Sequence, residues 1–227
     1  MTRLFLPLLT HRRSEGRDPH RWLCAVLVLM ALSSGCSSLR PTAVAQPYFY
    51  SLDAGRSEAP ASAPKPAPTA PTLLINPTRS ASGFSSQRIV YVREAHQLEY
   101  YAHSEWIDSP ARMLAPLIVD AVGNGGAFRA VVTTPSAADG DLRLDTEIMR
   151  LQHELTGRPG GVRFTLRATL VDNTTRDVLA WREFDEHVAA ASETPYGGVL
   201  AANQAVQTVL EQLAAWCAET ARRWKAP

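Results

Sequence analysis

Two runs between residues 142 and 170 alternate apolar and polar side chains, and this pattern constrains the fold more than any other. Residues 142–149 and 162–170 place an apolar side chain at nearly every second position, and the polar turn at 172–177 leads into a further β-rich run at 178–188. Alternation of period two is typical of strands with one buried and one solvated face, which antiparallel sheets provide. The sequence therefore predicts an antiparallel hairpin as the centre of the domain.

Shorter β-rich runs and two helical patterns surround this hairpin. A helix is predicted to start at Ser109-Pro110 and another at Thr194-Pro195, because an N-cap residue followed by proline is a common helix start. Apolar residues recur at spacings of three and four in both. The remaining strands are predicted at residues 72–76, 87–93, 97–102 and 128–132. The predicted fold class is α+β, a mainly antiparallel sheet with two helices packed on it, over residues 72–224.

The N-terminal segment has the three parts of an export signal. A basic region is followed by the uncharged apolar residues 22–32, and Ser34 and Gly35 then lead into Cys36. A permanent membrane helix needs about twenty apolar residues, so this run is too short. Residues 1–35 are predicted to be a lipoprotein signal peptide, because the border resembles a bacterial lipobox. That resemblance implies a diacylglycerol thioether and a further acyl chain, such as palmitate, on Cys36. The alternative is an ordinary signal peptide with an incidental cysteine.

Residues 36–71 lie between this signal and the main domain. Residues 36–47 are predicted to be a tether, 48–53 a first strand rich in aromatic residues, and 54–71 an extended Pro/Ala-rich segment. The last segment is either a linker between anchor and domain or a long loop after the first strand. The aromatic residues favour the loop, because three large rings are expected to leave water.

Motifs for catalysis or metal binding are missing from the sequence. It has no Gly-x-Ser-x-Gly, Walker A, His-Glu-x-x-His or paired-cysteine pattern, which predicts a protein that is not an enzyme and holds no metal and no cofactor beyond the acyl chains on Cys36. The histidines are scattered, and Cys217 adjoins the apolar face of the last helix, where a buried thiol is expected. The net charge of +1 and the lack of a basic stripe argue against nucleic acid as a partner.

A group of aromatic residues, Tyr100, Tyr101 and Trp106, precedes the first predicted helix. Two interpretations are open. The rings either pack in the core at the end of the sheet, or part of the group lines a surface that binds a partner or lipid, since tyrosine and tryptophan are enriched at protein interfaces.

The order of these features resembles that of the ABC-type transport auxiliary lipoproteins. The features are Cys36, the aromatic strand at 48–52, the hairpin ending in Tyr100 and Tyr101, Trp106 before a helix, and the long hairpin followed by the C-terminal helix. That family includes the paraquat-inducible outer-membrane lipoprotein. The resemblance implies a non-catalytic subunit of an envelope lipid-transport system, partnered by a periplasmic mammalian-cell-entry (MCE) protein and its ABC permease and ATPase.

The same resemblance implies a lipid anchor at the periplasmic face of the outer membrane of a Gram-negative bacterium. Ser37 is consistent with this location, because it is not the aspartate that retains enteric lipoproteins in the inner membrane. An open sheet edge also makes a homo-oligomer an expectation. The alternative function is a structural or assembly lipoprotein that partners another outer-membrane machine.

Overall fold

The structure, a computed structural model, describes residues 20, 22–24, 46–53, 66–157 and 160–225. The chain divides into two compact units, residues 1–44 and residues 45–227. In the first unit, residues 20 and 22–24 are helical. Cys36 and most of the predicted signal peptide, tether and Pro/Ala-rich segment lie outside the described residues. None of the helices within the described ranges is both long and apolar enough to cross a bilayer.

The second unit follows the predicted order of elements. Its described residues form strands β1 (Tyr48–Tyr50), β2 (Thr72–Ile75), β3 (Arg79–Ser80), β4 (Arg88–Val92), β5 (Glu99–Trp106), β6 (Ala130–Thr133), β7 (Leu142–Glu154), β8 (Gly161–Asp172) and β9 (Val178–Ala189), with helices α1 (Pro110–Gly123) and α2 (Pro195–Arg223). The predicted α+β fold class is confirmed.

Strand β7 joins the two parts of the sheet, because other strands pair along both of its edges. Along one edge it pairs antiparallel with β8 over nearly its whole length, and β8 pairs antiparallel with β9. Along the other edge β2, β3 and β4 follow one another, each pairing in parallel with a different stretch of β7. Strand β6 then adds to β2 and strand β5 to β4. The sheet is therefore mixed, and its long antiparallel part is the hairpin that the alternation predicted.

Helix α2 covers one face of the three long strands. The predicted apolar stripe is buried against them at Val199, Ala202, Val206, Val209, Leu213 and Trp216. The helix begins with Pro195 at its first turn, and the Thr194 hydroxyl accepts a hydrogen bond from the Gly197 N–H at 3.2 Å. This cap satisfies one of the amide groups that a helix start leaves without a partner.

Helix α1 packs beside α2, and its residues Leu114, Leu117, Ile118 and Val122 are buried. Pro116 lies inside α1 on its exposed side, and the helix runs unbroken from Pro110 to Gly123.

The aromatic strand β1 joins the same sheet, pairing in parallel with β5. Leu52 is buried just beyond it. The Asp53 N–H donates to the side-chain oxygen of Asn203 on α2 at 2.8 Å, and the Asn203 amide donates to the Ser51 carbonyl at 3.1 Å. Residues 48–53 are thus fixed between β5 and α2, and the Pro/Ala-rich segment connects β1 to β2 of one sheet.

Replacing Phe184 by alanine tests the packing of the sheet under α2. The Phe184 ring is 1% exposed and meets the Trp216 ring edge-on, with 6.0 Å between centroids. We expect F184A to lower the free energy of unfolding by about 3–5 kcal/mol, because a large buried side chain leaves a cavity. The measurement is urea denaturation of both proteins.

The matched control is Trp181 on the same strand, which is 66% exposed. We expect W181A to change stability by no more than about 0.5 kcal/mol. Equal losses for the two variants would contradict the described packing.

Candidate partner-binding surface

The three predicted site aromatics occupy three different environments. Trp106 is 3% exposed and belongs to the hydrophobic core. Tyr101 is half-buried and also packs against the core. The Tyr100 ring is 38% exposed, with the Arg88 guanidinium 5.0 Å from its centroid. Of the three, Tyr100 therefore offers the most ring surface to a partner, and Trp106 stabilises the fold.

A buried polar cluster joins the β4–β5 hairpin to the centre of the sheet. The Tyr101 hydroxyl lies 2.9 Å from Nδ1 of His153 on β7, and the Tyr101 and Tyr91 rings lie 4.5 Å apart. Desolvation raises the pKa of Tyr101 to about 12 and lowers the pKa of His153. Both groups are therefore neutral at physiological pH, because burial disfavours the charged form of a group that has no opposite charge beside it.

Gly198 allows α2 to approach this cluster. A Cβ atom at position 198 would lie 2.6 Å from Nδ1 of His153, closer than real Cβ atoms come to other atoms. Nε2 of His153 is buried and has no hydrogen-bond partner within the described part of the chain. The cluster thus fixes the hairpin beneath the start of α2 and, in the neutral form, leaves one polar atom unsatisfied.

Several exposed apolar side chains lie on β1 and on the segments next to it. We call this group the β1 surface, and it consists of Tyr48 (70% exposed), Phe49 (56%), Ile107 (61%), Tyr196 (58%) and Leu200 (50%). The half-buried Tyr50 links them: its ring lies 6.3 Å from the Tyr196 ring, and its carbonyl accepts a hydrogen bond from the Ile107 N–H at 2.8 Å. Tyr196 and Leu200 are one helical turn apart on α2.

Strand β1 also ends the sheet on this side. It pairs with β5, and no other strand in the described ranges pairs with it. An edge strand presents unpaired backbone N–H and C=O groups, to which an extended segment of another protein can add as a further strand. Exposed apolar side chains beside a free strand edge are typical of protein-binding surfaces. The β1 surface is therefore the candidate binding site.

Sequence analysis did not predict the β1 surface, because it proposed Tyr100, Tyr101 and Trp106 as partner-binding residues. The rings at 48–50 were expected to leave water, and this expectation is wrong for Tyr48 and Phe49, which stay largely exposed. Tyr196 and Leu200 were not predicted, although a signal for them existed. Both are apolar and lie outside the buried stripe of α2, so a helix packed through that stripe must expose them.

No three His, Cys, Asp or Glu side chains in the described part of the chain are grouped so that they could hold a metal ion. The Cys217 thiol is buried, and desolvation raises its pKa to about 12, so it is protonated and unreactive at neutral pH.

Comparison with known proteins places this fold in a family. The family model of the ABC-type transport auxiliary lipoprotein component matches residues 50–214, and the chain belongs to this family. The matched region contains most of the β1 surface and the whole of the long hairpin. No curated protein matches the sequence.

Two solved structures share the fold. Protein XCC0632 from Xanthomonas campestris aligns with a TM-score of 0.62 at 23% sequence identity, covering 70% of this chain and 92% of that chain. The structure of an uncharacterized protein aligns with a TM-score of 0.58 at 12% identity, covering 76% of this chain and 99% of that chain. At these identities the similarity concerns the fold alone.

The buried histidine predicts how stability depends on pH. Because the pKa of His153 is lowered in the folded state, the unfolded state binds the proton more strongly. The contribution of neutral His153 to the free energy of unfolding is then fully present above about pH 6.5. It decreases as the pH drops through this value towards the folded pKa, by at most about 1.4 kcal/mol per pH unit. Of the neighbouring groups, Tyr101 stays neutral and Glu193 opposes the shift in part.

The measurement is urea denaturation between pH 8 and pH 5.5 of the wild type and of H153Q, which keeps a polar group for the Tyr101 hydroxyl. We expect the wild type to lose stability over this range and H153Q to change much less. Parallel curves for the two proteins would assign the pH dependence to other groups.

Proposed function

We propose that this protein is an outer-membrane-anchored periplasmic lipoprotein that acts as the non-catalytic auxiliary subunit of an ABC/MCE-type intermembrane lipid transport system. The observation that carries the proposal is the family match over residues 50–214. The lipobox-like border at Cys36 supports lipid anchoring, and Ser37 supports the outer membrane as the location.

The position of Cys36 fits an anchor close to the β1 surface. Gln46, where the description of the domain begins, lies ten positions after Cys36, so a fully extended tether would reach about 35 Å. Two or three acyl chains on one residue give stable membrane attachment, whereas a single chain gives only reversible binding. In the proposed role, this tether limits how far the start of β1 can lie from the bilayer.

The β1 surface supplies a site for the partner. It combines a free strand edge with exposed aromatic and aliphatic side chains, the composition found at the centre of protein interfaces. In the proposed role, this surface receives the periplasmic MCE protein, which is linked to the permease and ATPase in the inner membrane. The subunit then contributes by holding that partner at the outer membrane, which needs no catalytic group.

Replacement of Cys36 tests the anchor. We expect C36S to prevent incorporation of radiolabelled palmitate and to remove the protein from the outer-membrane fraction, because serine has no thiol for the thioether. Cys24 lies in the predicted signal, so C24S is the matched control and should be labelled like the wild type. Equal labelling of C36S and wild type would overturn the assignment of the anchor.

Affinity purification tests the partner. The tagged, lipidated full-length protein in mild detergent should recover an MCE-domain protein, as shown by mass spectrometry. The double variant Y196S/L200S should reduce this recovery about tenfold or more, because exposed side chains at the centre of an interface carry much of its binding energy.

W181S is the control, because Trp181 is equally exposed on β9 but lies outside the β1 surface. Equal recovery by the double variant and W181S would remove the β1 surface from the proposal. Recovery of an outer-membrane barrel in place of an MCE protein would favour an assembly factor.

A further inference from the structure

A groove lies near the β4–β5 turn, away from the β1 surface. This groove has a volume of about 580 Å³, within the range of small-molecule sites. Phe84, Val92, Leu98 and Met149 line it with apolar groups, of which Phe84 and Val92 are largely buried. The charged side chains of the lining are Arg150, Arg163 and Glu154. The groove therefore combines apolar groups with two cations and one carboxylate.

The lining residues come from separate segments that a turn brings together. Gly83 has a φ of +97°, a backbone conformation that favours glycine, and it precedes Phe84. A Cβ atom at position 83 would lie 3.1 Å from Cδ1 of Leu98, so this turn packs closely against the β4–β5 loop. The two apolar side chains are thereby held on one side of the groove.

The charge of Arg150 is not balanced by a neighbouring group among the described residues. It is half-buried, and no hydrogen bond or ion pair of its guanidinium exists within the described residues. The pairing of β7 with β8 shifts between Ile148 and Arg150, which is a β-bulge. Bulges change the direction of a side chain and are enriched beside functional sites. A partly desolvated charge without a partner is unfavourable until an anion binds it.

Arg163 differs, because its charge is already compensated. Its guanidinium lies 3.4 Å from a carboxylate oxygen of Glu154 and 3.3 Å from one of Asp185. Arg150 is therefore the cation of the groove that remains available to a ligand.

We infer that this groove binds an amphiphile with one anionic head, either a fatty acid carboxylate or a phospholipid phosphate. Arg150 binds the head through charge-assisted hydrogen bonds, and the acyl chain lies along Phe84, Leu98 and Met149. The inference rests on the proposed function, which supplies the lipid, and deepens it by naming where this subunit would contact that lipid.

Photolabelling of the full-length lipidated protein in phosphatidylcholine nanodiscs tests the inference. The probe is an oleate that carries a diazirine, and a neutral diazirine monoacylglycerol is the comparison. Mass spectrometry of the labelled peptides should locate the oleate around residues 84, 98 and 149. R150Q should reduce this labelling about tenfold, the effect expected for loss of one charged hydrogen bond.

Two further variants separate binding from folding. Leu98 is 41% exposed on a loop, so L98N should fold normally and still lose labelling. Arg222 is exposed in the last turn of α2, and R222Q should be labelled like the wild type. Equal labelling of wild type and R150Q, or labelling spread over exposed apolar sites such as Trp181, would overturn the inference.

Competition distinguishes the source of the anion. Displacement of the probe by phosphatidic acid would support a phospholipid, and displacement only by unlabelled oleate would support a fatty acid. Complete displacement of the probe by millimolar inorganic phosphate would overturn the assignment of an amphiphile, because the groove would then bind only a small anion. R150Q should still recover the MCE protein, so loss of labelling and loss of the partner are separate results.

Discussion

The burial of β7 and β8 under α2 is the interaction on which the rest of the structure depends. Leu142, Leu144, Ile148, Phe164 and Leu166 are completely buried in this layer. Ala202, Ala205 and Gly198 on the facing side of α2 are small and buried, which lets the helix approach the sheet closely. Each remaining strand is stabilised by pairing with this unit directly or through one or two neighbouring strands, because isolated short strands are not stable.

This arrangement explains why the candidate sites lie at the periphery. One edge of β7 is shared among β2, β3 and β4, so no single strand runs along the whole of that edge. The groove around Arg150 forms beside the bulge in β7, and the β1 surface forms at the outer strand. The β1 surface exposes its apolar groups at the edge of the sheet, whereas the groove combines the exposed Leu98 with Phe84, which belongs to the core.

The long elements could be predicted from the sequence, and the short ones only in part. The alternation at 142–170 and the stripe on α2 are strong periodic signals, and both are confirmed. The parallel pairing of β2, β3 and β4 with β7 could not be predicted, because strands of two to five residues carry no information on direction. Tyr48 and Phe49 remain exposed against expectation, since an edge strand buries side chains only where another element covers it. Arg150 could not be recognised, because its missing partner is a property of the folded chain.

The most direct test of the account is photocrosslinking in living cells with benzoylphenylalanine at position 196. Tyr196 lies on the β1 surface, and Trp181 on β9 is equally exposed and serves as the comparison position. The account predicts a crosslink to an MCE-domain protein from position 196 and none from position 181. Crosslinks from both positions to the same protein, or from position 196 only to an unrelated protein, would contradict it.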